Sequence, residues 1–214
     1  MGDRVGTLCW NTQEHLEAYL AIPAMGGVLH TVNVRRAAEQ IAYIIGHAED
    51  RVLILDASFV PLVASVIGDL PSVDMIVVLG DAPAALPGFS GKLIGYEDLI
   101  DGVSPFDDWP DLDENSAAVM CYTSGTTGNP KGVVYSHRSI FLHSLASLGA
   151  DAFAISNRDT LLMVPPMFHA NAWGLPFSAW FSGADLIMPG PNLKAAHIRA
   201  MVRQARPTIT ALVP

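Results

Sequence analysis

Residues 122–139 read YTSGTTGNPKGVVYSHRS, and ten of them, Thr123 to Gly132, concentrate unusual chemistry. They hold four hydroxyls (Thr123, Ser124, Thr126, Thr127), three glycines (Gly125, Gly128, Gly132), one proline and one lysine, Lys131. Glycine backbone amides have no Cβ to shield them and can converge on an anion, while the hydroxyls add donors and the lysine adds compensating charge. A polyphosphate needs that inventory; a neutral substrate does not. Asn129-Pro130 enforces a bend. A polar surface turn is the plain alternative, and the position directly after the apolar run AAVMCY weighs against it. The spacing is neither Gly-x-x-x-x-Gly-Lys-Ser/Thr, since Lys131 follows Asn-Pro and precedes Gly132, nor the Gly-x-Gly-x-x-Gly of dinucleotide folds.

A second candidate is His169 in VPPMFHANAWGLP. A lone histidine in an apolar stretch is commonly a satisfied core residue, but this one follows a strand end, where α/β sites collect. Trp173 by itself reads as an unremarkable core tryptophan. Met163 and Met167 read as core filler before channel lining. No two of the seven histidines stand four apart and no Cys-His cluster occurs, so a zinc site is not indicated.

The elements that would position these residues are short apolar runs: RVGTLCW, RVLILDA, VDMIVVLG, AAVMCYT, DTLLMVP, ADLIMPG and TITALVP. Between them lie helical patterns, with Leu16, Tyr19 and Leu20 on one face before Pro23 interrupts, and Ile41, Ile44 and Ile45 on another. SFVPLVASVIGDL and LKAAHIRAMVRQARP supply two more. His137 heads a helix capped by Ser136, which Ile140, Phe141 and Leu145 would pack against the sheet. Strands apolar on both faces, alternating with helices, predict an α/β fold with largely parallel sheets and flanking helices. The acidic stretch DGVSPFDDWPDLDENS marks a boundary between a first α/β lobe, 1–112, and a second, 113–214, carrying the loop 123–132. A solvated acidic linker explains that stretch better than a paired-carboxylate site.

The chain has 214 residues, 50% hydrophobic and 15% charged, with a formal net charge of −9. That suffices for a sizeable core and leaves no basic face for nucleic acid. Cys9 and Cys121 fit buried thiols in a reducing cytoplasm. The N-terminus has no signal-peptide pattern. Thr160 to Ala184 is free of Asp, Glu, Lys and Arg, but Pro165, Pro166 and Pro176 predict a strand, loop and helix, not a transmembrane segment.

YTSGTTGNPKGV resembles the phosphate-loop signature of the adenylate-forming superfamily, which includes acyl-CoA synthetases, luciferases and peptide-synthetase adenylation domains. VPPMFHANAWGLP resembles the aromatic-histidine motif of its fatty-acid CoA ligases, and the likeness covers essentially the whole chain. It implies the first part of the large N-terminal domain of a fatty-acyl-CoA synthetase, an acid–thiol ligase. Such enzymes let a fatty-acid carboxylate attack the α-phosphorus of ATP and then exchange AMP for the thiol of coenzyme A. By this resemblance Thr123, Ser124, Gly125, Thr126, Thr127, Gly128 and Lys131 hold the phosphates, and Thr123 also helps hold Mg²⁺. His169 and Lys131 serve catalysis, and Trp173 gates the acyl tunnel. The family's later motifs are absent, so the polypeptide alone is expected to lack synthetase activity and to need the missing C-terminal domain or a complementary fragment. A homodimer is a further partner reading. The alternative is a non-catalytic nucleotide-binding or interaction fragment of the same fold.

Overall fold

The computed structural model describes residues 1–123 and 129–211. In chain order the first elements are β1 (Arg4–Leu8), α1 (Gln13–Ala24), β2 (Val28–Thr31), α2 (Ala38–Ala48), β3 (Val52–Asp56), α3 (Val60–Ala64), β4 (Met75–Leu79), β5 (Lys92–Gly95) and α4 (Tyr96–Ile100). After the acidic stretch come β6 (Ala117–Thr123), β7 (Lys131–Ser136), α5 (His137–Ser147), β8 (Thr160–Leu162), α6 (Leu175–Ser182), β9 (Asp185–Ile187), α7 (Ala195–Ala205) and β10 (Ile209–Thr210). Among the described residues, seven strands form one sheet in the order β5-β4-β3-β1-β2-β6-β7, and three form a second in the order β10-β8-β9. Every pairing is parallel except β6 with β7. The large sheet therefore crosses the 112/113 boundary read from the acidic stretch: β6 pairs with β2, and the three-stranded sheet is built from the second segment alone.

Alternation along the central strands divides the core in two. Leu53, Leu55, Ile76 and Val78 face α2, whose Ile41, Ile44 and Ile45 are buried. Ile54, Val77, Leu79 and Val119 face the other way, toward Tyr19 and Ile22 of α1 and toward Leu161, Met163 and Leu175 of the second unit. Met163 and Met167 are both core residues. Cys9 and Cys121 are buried free thiols. No helix among the described residues is long and apolar enough to cross a membrane; Thr160–Ala184 forms β8, a loop and α6.

Several local expectations are corrected. Pro23 does not stop α1, which runs to Ala24; so near the end, its missing N–H costs only the one helical bond to the Tyr19 carbonyl. Residues 57–69 form no single helix: α3 is flanked by 3-10 turns at Ala57–Phe59 and Ile67–Asp69. In α5, capped by Ser136 as expected, Phe141 and Leu145 are half exposed, while Ser144 and Ser147 face inward. That inner face meets α6 closely, with Ser147 Oγ 2.8 Å from Ser178 Oγ, so small residues stand where packing on the sheet had predicted large ones. β2, β5 and β7 carry no strong apolar alternation, and β7 is an exposed edge.

His15 lies wholly buried between α1 and β1. Its Nδ1 is 3.0 Å from the Trp10 carbonyl, which can only accept, so Nδ1 carries the proton and Nε2 accepts from the Thr7 hydroxyl at 3.0 Å. Burial holds the imidazole down at about 4. Below its ordinary value of 6.5 the unfolded chain binds a proton that the folded chain refuses, so stability falls as pH drops from 6.5 toward 4. The expected loss is about 3 kcal/mol over that window. Urea melts at pH 7 and pH 4.5 should show a flatter pH dependence for His15→Gln, and equal slopes would refute the assignment.

Candidate active site

β6 carries five consecutive buried residues, Ala118 to Tyr122, and then surfaces at Thr123. The chain returns as β7 from Lys131, so that Thr123 stands opposite Lys131 and Tyr122 opposite Gly132. Directly paired residues share a face, which sends the Thr123 hydroxyl and the Lys131 ammonium out together at the C-terminal edge of the parallel strands. Both are exposed. Among the described residues Lys131 is in no ion pair. Ser124, Gly125, Thr126, Thr127 and Gly128, the rest of the expected phosphate site, lie outside the described residues.

The opposite face of this pair is braced from below. A Cβ on Gly132 would stand 3.2 Å from the Tyr122 ring, so glycine lets that ring lie across the ladder. Tyr122 Oη and His47 Nδ1 share a hydrogen bond at 2.7 Å, and burial, helped by the charge of Asp50, pushes the phenol up to about 12. The Tyr122 ring centroid is 5.2 Å from that of His30, whose Nδ1 meets the Asp50 carboxylate at 2.8 Å with both side chains fully buried. Burial pushes the Asp50 carboxyl up, and His30 followed by Arg4 pull it back. Gly6, in register with His30, makes the room: a Cβ there would fall 2.7 Å from Asp50 Oδ2.

Residues 163–174 cross the same sheet edge. Asn11, just past β1, donates from Nδ2 to the carbonyls of Met163 at 2.6 Å and Pro165 at 2.8 Å, and its Oδ1 accepts from Met167 N–H at 2.8 Å. The Tyr19 hydroxyl donates to the Met167 carbonyl. Phe168 packs edge-on to Trp10 at 6.0 Å, beneath the Arg35 guanidinium. His169 follows, exposed, its carbonyl accepting from Ala172 N–H at 3.1 Å. Then the backbone turns left-handed: Ala170, Asn171, Ala172 and Trp173 have φ of 45°, 51°, 48° and 57°, and Gly174 has 72°. Such backbone costs an L-residue about 1–2 kcal/mol. Thr31, the last residue of β2, donates to Asn171 Oδ1 at 2.7 Å. Thr31 pairs with Cys121, two residues before Thr123, so one strand pair underlies both segments.

The sequence profile described as AMP-binding enzyme matches residues 1–214, the whole chain. The chain belongs to the AMP-binding enzyme family. A medium-chain-fatty-acid–CoA ligase of Ectopseudomonas oleovorans is 48% identical over 216 residues, covering 99% of this chain and 39% of the ligase. The chain thus spans well under half the length of this curated relative. An anthranilate CoA ligase solved with anthranoyl-AMP superposes with a TM-score of 0.85 at 26% identity, over 98% of this chain and 40% of that one. The inhibitor-bound N-terminal domain of FACL13 from Mycobacterium tuberculosis gives 0.80 at 27% identity, over 100% and 50%.

The chain carries Thr123, Lys131, His169 and Trp173 toward one edge of the large sheet, the C-terminal edge at which α/β folds bind ligands. Of the residues that brace these segments, Tyr19 was read from sequence only as part of an apolar helix face, and Asn11 and Thr31 were not singled out. Their one signal is polarity at or just past the end of an apolar run, as in Trp10-Asn11 and His30-Thr31. For Mg²⁺ the fit rests on a single hard oxygen, that of Thr123. Among the described residues no three His, Cys, Asp or Glu side chains cluster to hold a metal.

Proposed function

We propose that this chain forms the polyphosphate- and carboxylate-facing part of an ATP-dependent fatty-acid–CoA ligase. The observation that carries this reading is the Thr123–Lys131 pair, two exposed residues that flank the hydroxyl-glycine stretch in sequence and stand opposite each other at the end of β6, with the segment holding His169 and Trp173 tied to the neighbouring strand through Thr31 and Asn171. A fatty-acid carboxylate oxygen attacks the α-phosphorus of ATP, the bond to the β,γ-phosphates breaks, and pyrophosphate leaves; the thiol of coenzyme A then displaces AMP from the acyl carbon. Negative charge grows on the departing phosphates in the first step, where the Lys131 ammonium and the loop donors stabilise it. His169 orients the carboxylate. Mg²⁺, when bound, neutralises phosphate charge, with Thr123 as its protein oxygen. The buried free thiols support a cytoplasmic location.

Calorimetric titration of the chain with ATP and Mg²⁺ tests the nucleotide half: saturable binding that weakens in Lys131→Ala is expected, and identical isotherms would remove the phosphate assignment. In an enzyme of the relatives' full length carrying this sequence, Trp173→Ala should change fatty-acid chain-length preference about tenfold while leaving the KM for ATP in place. An unaltered chain-length profile would end the acyl-facing role of Trp173.

A further inference from the structure

We propose that His143 is a positioning residue that holds Trp173 in place through the backbone, by clamping the exit of the left-handed turn 170–174. What Trp173 faces rests on the ligase reading above; the clamp does not. Four consecutive non-glycine residues in left-handed backbone have no local cause, so contacts from outside must over-determine them. The entry is tied by Asn11 and Tyr19, and the middle by the buried Thr31–Asn171 bond. The exit has His143. Its Nε2 lies 2.9 Å from the Trp173 carbonyl, which only accepts, so Nε2 carries the proton and donates. The edge of the ring also presses on the next residue: a Cβ on Gly174 would come within 2.6 Å of His143 Cδ2 and 2.8 Å of its Nε2, and at φ +72° that position already favours glycine.

Among the described residues no aromatic or hydrogen-bonding partner fixes the Trp173 side chain, and the residue is 49% exposed. Where the indole stands is therefore set by the backbone beneath it. His143 sits on α5, which follows β7 directly, so the same short stretch of chain that begins with Lys131 also sets the turn carrying Trp173.

Acrylamide quenching isolates Trp173 in the chain as it stands, by subtracting the signal of each protein's Trp173→Phe counterpart. His143→Ala should raise the quenching constant of Trp173 and shift its emission to the red, and His143→Gln, whose amide can donate to the same carbonyl, should restore both. His143 is exposed, so these variants are expected to melt as the parent does. Quenching in His143→Ala equal to that of the parent overturns the clamp. In an enzyme of the relatives' full length, His143→Ala should raise the fatty-acid KM about threefold to tenfold with the KM for ATP unchanged, as loss of one neutral hydrogen bond implies. Altered quenching with an unchanged fatty-acid KM would overturn the link to specificity. A parent enzyme with no fatty-acid-dependent exchange would defeat the ligase reading, and quenching would still judge the clamp.

Discussion

Replacing Lys131 with alanine is expected to cut fatty-acid-dependent ATP–pyrophosphate exchange about 100-fold in an enzyme of the relatives' full length, the size of one charge-assisted contact that strengthens in the transition state. Lys131 is the first residue of β7, exposed and opposite Thr123, and makes no ion pair among the described residues. Removing it therefore leaves no buried partner unsatisfied, and the melting temperature should stay within the range of ordinary surface changes. Lys131→Arg separates charge from shape: partial recovery indicates a long-range charge, and no recovery a point contact that a planar fork cannot copy. Exchange within twofold of the parent in Lys131→Ala would remove the lysine from the chemistry.

The second large effect is on stability. Asp50→Ala removes one member of a fully buried pair and leaves His30 Nδ1 without its carboxylate, while His30 Nε2 already lacks a partner among the described residues. Breaking such a pair from one side costs about 3–5 kcal/mol, a fall in Tm on the order of 10 °C for a domain of this size. His30→Leu combined with Asp50→Ala should be less destabilised than the sum of the single changes, because no unpaired ionisable group then remains. Additive losses would show that the two residues do not act as a pair. Since Tyr122 leans on His30 and precedes Thr123, Asp50→Ala should also weaken ATP binding in the folded protein.

Much of the fold can be read along the chain because its determinants are local. Six of the apolar runs became strands and the described part of the seventh, TITALVP, contributes Ile209–Thr210, since a buried parallel sheet demands continuous apolar stretches whatever surrounds it. The Ser136 cap and the apolar stripe of α2 were legible for the same reason. The strands that escaped notice, β2, β5 and β7, owe their state to neighbours and not to their own pattern; Lys92–Gly95 is a strand because β4 offers it a partner. Phe141 and Leu145 misled because helical spacing says which residues share a face but not which neighbour that face meets. The hydroxyl-glycine segment stands out by composition alone, and five of its residues lie outside the described structure.

Amino-acid order settled the layered α/β class, the residue types offered to an anion, and the strand that delivers them, each of which depends on contacts within a few positions. Long-range packing settled the rest: that β6 completes the first sheet, that Gly6 leaves room for Asp50 to reach His30, and that Asn11, Thr31 and His143 bond to the segment around the left-handed residues 170–174. These pairings join residues from 20 to more than 150 positions apart. No periodicity encodes them, because the energy that selects them exists only once the sheet edge has formed and its polar groups must find partners there.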